Sequence, residues 1–439
     1  MKKRILSVLL VIALLVTVGV LAAQAGDTAP TPAEIIAAAE QLSFPYAADG
    51  EEATNQTGVC PICGGSAVTW EPMTAATGGY TLNTTQHLYV AAEAVDLGTS
   101  YIYPKGGNLH LFLNNSTITG SGGYMITNGG TISIFGNGTV TNTTDQEVFY
   151  PRSSAWSNRG IVIYGGTYES KTGYAANIWN TKVTSDENFK NFVMYGGEVK
   201  GLTMGMGGDA LIEGGTISAC ADGTGAQAVY VYSAAGANAN DIIIGGSAEV
   251  TGGILQNKVG TVTITGEAEV DTVTTKTGNL TISGGTVTTV NKTSSGDLTV
   301  SDGTITTLTT NKGTLAISGG EITTATVTGA TLSLSGAPEI ATLDLSAATT
   351  LPATVANMTS GANIGIKVAS DAVIAENVTA TDAKCFHCDD PMYKISLDEN
   401  SNLVVDMRDF DTAEDIVDYA ENNMFFGYEG GEVSVLPCM

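Results

Sequence analysis

Residues 280–290 read LTISGGTVTTV, and the same phrase returns as LTVSDGTITTL at 298–308, LAISGGEITTA at 315–325 and LSLSGAPEIAT at 332–342. Each copy holds two apolar residues in alternation, a glycine-rich turn, one further apolar residue and a short threonine-rich run. That further residue falls at Val270, Val287, Ile305, Ile322 and Ile340, in steps of 17, 18, 17 and 18. A unit this short cannot bury its apolar side alone, so a fixed period of this size signals stacked coils. The alternation within each copy is that of a β-strand. The chain is therefore expected to be all-β, a right-handed parallel β-helix (β-solenoid).

The signature continues upstream with looser spacing. LHLFLNNSTI (109–118), ISIFGNGTV (132–140), IVIYGGTY (161–168), FVMYGGEV (192–199), ALIEGGTI (210–217), IIIGGSAEV (242–250) and VTITGEAEV (262–270) carry it. Their apolar marks are Ile118, Val140, Tyr168, Val199, Ile217, Val250 and Val270, separated by 22, 28, 31, 18, 33 and 20 residues. The unit persists while the connections grow, and the stretch from about 80 to 380 accommodates roughly fifteen coils. Short helical and hairpin caps should close the ends, because an open solenoid exposes strand edges.

The opening MKKRILSVLLVIALLVTVGVLAAQA has a basic start, an apolar run and an Ala-Gln-Ala site, the pattern of a secretory signal peptide over residues 1–25. After its cleavage nothing else in the chain is suited to membrane insertion. Residues 26–58 read as a short helix, with Thr31 as cap, Pro32 in the first turn and Ile35, Ile36 and Leu42 on one face, followed by a polar linker. The solenoid is expected over 59–383. The segment 384–439 reads as a cap or a small α+β segment, with a knuckle at Cys385, a hairpin turning at Asp398–Asn402 and an acidic helix over 412–423. The formal charge of −26 disfavours nucleic acid and anionic membrane by repulsion.

Four of the six cysteines stand in two Cys-x-x-Cys pairs, Cys60/Cys63 and Cys385/Cys388. That spacing suits a structural metal knuckle or a local disulfide more than a redox-active site, because Cys63 is followed by Gly-Gly and a strand-like run. Zinc is the cofactor such thiolates would hold. Calcium would instead call on carboxylates. Position by position, the residues before the apolar marks include Glu249 beside Glu269 and Glu321 beside Glu339, an outward ladder once the coils stack. A solvated Thr/Glu ladder is the plainer reading of that row.

The opening CPICGGSAVTWEPMT, with LNNSTITGS and the Gly-Gly-turn coils behind it, resembles secreted bacterial right-handed parallel β-helix (pectin-lyase-like) proteins, most of unassigned function. The resemblance covers about residues 60–380. It implies fold and export more than activity. Lyases of that class use clustered aspartates for calcium with an arginine or lysine base, and hydrolases use close aspartates with a histidine. This chain has only His87, His110 and His387, and its one Asp-Asp pair, Asp389-Asp390, lies outside the repeats.

The enlarged connections are where a partner is expected. Residues 141–160 contain Tyr150, Arg152, Trp156 and Arg159, and residues 169–190 contain Tyr174, Trp179, Asp186 and Glu187. Aromatic rings flanked by polar groups suit sugars. Tyr150, Trp156, Tyr174 and Trp179 are thus the candidate binding residues for a polysaccharide or glycoprotein glycan, unless these rings simply pack under long loops. Tyr230 and Tyr232, in AVYVY, alternate like a strand, and packing is the expected role there. The chain reads as a secreted or cell-surface scaffold, glycan-binding or adhesive. The enzymatic alternative is a polysaccharide lyase or glycoside hydrolase using Arg152, Arg159, Asp186 and Glu187. A more remote one is ice binding by the threonine-rich face.

Overall fold

A computed structural model describes residues 29–439 except 49–50, 65–66, 75–80, 83–84, 105–106, 128, 151, 154–159, 181–189, 205–207, 221–226, 233–240, 294, 389, 391, 408–423, 430–431 and 438–439. The proposed signal segment and the acidic stretch 412–423 therefore lie outside the described residues. The fold is a right-handed parallel β-solenoid of about 13 turns with short helical elements. It divides into two compact units, one ending at Thr288 and the other beginning at Thr289.

In the first unit a typical coil contributes three short strands, such as Ile132–Phe135, Gly138–Asn142 and Glu147–Phe149. Each pairs in parallel with its counterparts in the coils before and after. The apolar marks stack in register along the second face: Ile118 with Val140, then Tyr168, Val199, Ile217, Val250 and Val270. All of these are buried. A first-face ladder runs through Leu109, Ile132, Ile161, Phe192, Ala210, Ile242, Val262 and Leu280. A third runs from Phe149 through Ala176, Leu202, Val229 and Ile254 to Val273. The three ladders converge on one continuous core, and truncating a rung to alanine removes about 2–5 kcal/mol.

The third ladder revises the sequence reading. Residues 141–160 and 169–190 are not wholly connections, because each contains the third strand of its coil, Glu147–Phe149 and Ala176–Asn180. Upstream coils consume up to 33 residues per step, which is why the chain completes about 13 turns where fifteen were expected.

The N-terminal arm is built as foreseen and then put to unexpected use. Helix α1 (Pro32–Gln41) begins at Thr31, whose side chain accepts from the Glu34 amide while Glu34 reaches back to the Thr31 amide. Ile35 and Ala39 are its buried residues. The following segment, read from sequence as a linker, is tied to the coils. Asn114 accepts from the Phe44 amide at 3.1 Å and donates to the carbonyls of Phe44 and Val90 at 3.1 and 2.9 Å. The hydroxyls of Tyr46 and Tyr89 donate to the carbonyls of Asn114 and Thr54 at 2.7 and 2.8 Å. Strand β1 (Gln56–Val59) then pairs antiparallel with β2 (Ala67–Met73), and β2 pairs in parallel with Gln86–Val90. The arm thereby covers the first rung of an edge that would otherwise stand open.

In the second unit the regular repeats stack as their period demands, with Ile305 on Ile322, Ile340 and Ile364. The parallel ladder extends to Phe386–Cys388, paired with Asn363–Lys367. The hairpin expected around Asp398 is present: Tyr393–Leu397 pairs antiparallel with Leu403–Met407, which also pairs with Ala372–Ala375. Met424–Glu429 and Glu432–Pro437, unassigned from sequence, form a second hairpin.

Corners must stack as closely as strands. Gly215 holds φ +80°, and a Cβ there would stand 2.5 Å from the Gly197 carbonyl, which already accepts from the Thr216 amide at 2.9 Å. Gly215→Ala should lower the stability of the chain by about 2–3 kcal/mol in urea denaturation, combining left-handed strain with the clash. Gly123→Ala, where a Cβ has open space, should change it by less than about 0.5 kcal/mol.

Candidate functional site

Two features of the first unit concentrate chemistry. The first lies where the arm meets the coils. Cys60 directly follows β1, residues 61–63 form a turn, and Gly64 at φ +68° redirects the chain toward β2. This knuckle faces two neighbouring rungs. His87 and His110 are register partners on the parallel strands Gln86–Val90 and Leu109–Phe112. Their rings stand edge to face with centroids 4.9 Å apart. Cys60 Sγ lies 3.2 Å from His110 Nδ1, and Cys63 Sγ lies 3.2 Å from His87 Nε2 and 3.5 Å from His110 Nδ1. The four donor atoms all lie within 4.8 Å of one another. Cys60 and His110 are buried, whereas Cys63 is exposed. Among the described residues this is the one grouping of three or more Cys, His, Asp or Glu side chains close enough to share a metal.

The electrostatics fit ligation. Hydrogen bonds from Cys60, His110 and His87 lower the Cys63 pKa and favour its thiolate. Cys60 moves the other way, because its thiol is engaged by Cys63 and is buried. Sulfur and imidazole nitrogen are donors for borderline and soft metals, and the set offers no oxygen of the kind calcium requires. Beneath the centre Trp70 is fully buried, 5.2 Å from His87, 5.7 Å from Phe44 and 5.8 Å from Phe135 between ring centroids.

Sequence reading named Cys60 and Cys63 but not their partners. A signal was available: His87 and His110 are 23 residues apart, close to the coil length in that region, and so fall on one face. Cys385 and Cys388 belong to the second unit, with their sulfurs toward the carbonyls of Thr359 and Ile366. Every described cysteine is free of a disulfide.

The second feature is a tyrosine tract on the outer surface of the third face. Tyr124 stacks on Tyr150 with centroids 5.8 Å apart, and Tyr101 stands 5.2 Å from Tyr124. Tyr174 stacks on Tyr230 at 6.4 Å, and Tyr230 lies 5.8 Å from Tyr232. Asn177 joins Tyr232 to Glu147, donating to Glu147 Oε1 at 2.8 Å and accepting from the Tyr232 hydroxyl at 3.4 Å. Burial raises the Tyr232 phenol above its ordinary range. Tyr101 is 40% exposed, and Tyr124, Tyr150, Tyr174, Tyr230 and Tyr232 are half-buried. The strand alternation in AVYVY buries Val229 and Val231, as expected of one face, and leaves Tyr230 and Tyr232 half-buried against Tyr174 and Asn177 on the other.

Arg152 and Trp179 are register partners on neighbouring strands. Trp156, Arg159, Asp186 and Glu187 lie outside the described residues. The carboxylate row forms as expected: Glu249 pairs with Glu269 and Glu321 with Glu339, all exposed.

Trp70→Ala should cost about 3–5 kcal/mol in denaturant unfolding, as expected for removal of a buried ring. Trp70→Phe should cost well under half of that, because it keeps an aromatic ring and removes an indole Nε1 buried without a hydrogen-bond partner. Comparison of the chain with protein-family models, curated proteins and solved structures finds no match.

Proposed function

We propose that this solenoid is a non-catalytic glycan-binding scaffold, exported to the cell surface or beyond it, and that the tyrosine tract is its recognition face. The tract itself is the observation that carries this reading. Six tyrosines with an amide and a carboxylate lie on the outside of this face in two groups, separated by the Leu202–Met204 rung, which carries no tyrosine. Half-buried phenol rings offer flat apolar faces to the C–H surfaces of pyranoses, while hydroxyls, Asn177 and Glu147 meet sugar hydroxyls. From the rung of Tyr101, where Ile102 bridges to Ile126, to the Tyr230 rung are five strand steps, about 24 Å at the usual interstrand spacing. That length suits a chain of several sugars lying along the coils. Because the protein carries a formal charge of −26, neutral polysaccharides are favoured over polyanionic ones. Export rests on the basic and apolar opening of the sequence.

The test is affinity electrophoresis against soluble xylan, mannan, mixed-linkage β-glucan and polygalacturonate. Retardation by at least one neutral polymer is expected, together with no release of reducing ends. Tyr150→Ala and Tyr232→Ala should each weaken binding by about tenfold while leaving the far-UV spectrum unchanged. Binding to none of the four, or binding indifferent to both variants, would contradict the reading.

A further inference from the structure

We propose that Cys60, Cys63, His87 and His110 hold one zinc ion, and that this ion clamps the N-terminal arm onto two successive rungs of the solenoid. All four donor atoms lie within 4.8 Å of one another, near enough to share one ion. Zinc bonds of about 2.3 Å to sulfur and 2.0–2.1 Å to nitrogen put tetrahedral ligand atoms about 3.4–3.8 Å apart. The observed sulfur–nitrogen separations of 3.2, 3.2 and 3.5 Å need only small adjustments to reach that. Two sulfurs and two imidazole nitrogens fill all four positions, leaving none for water or substrate. That closure marks a structural ion rather than a catalytic one.

The placement says what the ion does. Cys60 and Cys63 sit on the turn joining β1 to β2, while the histidines project from neighbouring rungs that belong to the coils proper. Without a metal, the fold gathers two thiols and two imidazoles from three separate segments around a partly buried point, with only Cys–His hydrogen bonds and ring contacts to offset the ordering of those side chains. With a metal, the same residues become a cross-link between cap and coil. A Cys60–Cys63 disulfide would close only a local turn and leave the buried His110 ring without the sulfur it faces. On binding, Zn²⁺ displaces the thiol protons to solvent, both sulfurs become thiolates, and their charges balance the ion.

The experiment is metal analysis of the purified, reduced full chain, followed by Co²⁺ exchange and thermal unfolding. One zinc per chain is expected. The Co²⁺ form should show the intense visible bands of tetrahedral cobalt with a thiolate charge-transfer band, and a chelator under reducing conditions should lower Tm reversibly. Cys60→Ser and His110→Ala remove buried ligands and are apt to unfold the arm. His87→Ala and Cys63→Ser, on the more open side, should keep the solenoid's far-UV spectrum while losing more than the roughly 10–100-fold in zinc affinity that loss of an outer-sphere partner costs. The paired variant Cys385→Ser/Cys388→Ser should still carry one zinc. A folded, reduced chain that takes up no zinc would overturn the proposal. So would an octahedral cobalt spectrum, or a stoichiometry that falls with Cys385 and Cys388 but not with Cys63 and His87.

Discussion

In-register parallel stacking is the constraint on which the rest of the structure depends. Each strand is three to five residues long in most upstream coils and would be unstable alone. It becomes stable because its inward side chain rests on the equivalent side chain of the next coil, as Val199 rests on Tyr168 and Ile217. Strand pairing and core packing are therefore one event. A residue that spoils a corner, such as one with a Cβ at Gly215, spoils the register of both neighbours. The same constraint dictates where variation is tolerated: in the connections between strands, which lengthen upstream without disturbing the ladders.

Stacking of this kind has no natural stop, and the structure supplies one at the N-terminus by unlike means. Strand β1 caps β2 in antiparallel fashion, Phe44 and Trp70 plug the core beneath it, and Asn114 anchors the arm by three hydrogen bonds. The Cys/His centre lies at the junction of these pieces. Because stability in a solenoid passes from neighbour to neighbour, an ion that fixes the first rungs acts on the arm and the nearest coils first.

Much of this was legible in the sequence, and the rest was hidden for identifiable reasons. The apolar marks are legible by their signature from Ile118 to Val270 and by period from there to Ile340, and from Ile118 to Val270 and from Ile305 to Ile340 each is a direct strand partner of the next. The two outer faces carry a Gly-Gly or Gly-rich corner between them, which made them visible. The third strand has no such punctuation, so Glu147–Phe149 and Ala176–Asn180 were read as parts of long connections. Cys60 and Cys63 announced themselves by spacing, whereas His87 and His110 sit in unremarkable apolar strands, QHLYV and LHLF. Only the coil repeat brings them together. The sequence singles out Tyr150, Tyr174, Tyr230 and Tyr232 but not Tyr101 or Tyr124, and their grouping depends on a register that the irregular spacing conceals.

The account proposes recognition by the aromatic face and closure by a liganded cap, with the regular coils supplying length. Its central claim is that closure is local and rests on the Cys/His centre. Amide hydrogen exchange on the reduced full chain, with zinc and after its removal, tests this most directly. The account predicts that protection falls first in β1, β2, Gln86–Val90 and Leu109–Phe112, while Glu321–Val327 and Glu339–Asp344 keep theirs. Equal protection throughout the chain in both states would contradict it.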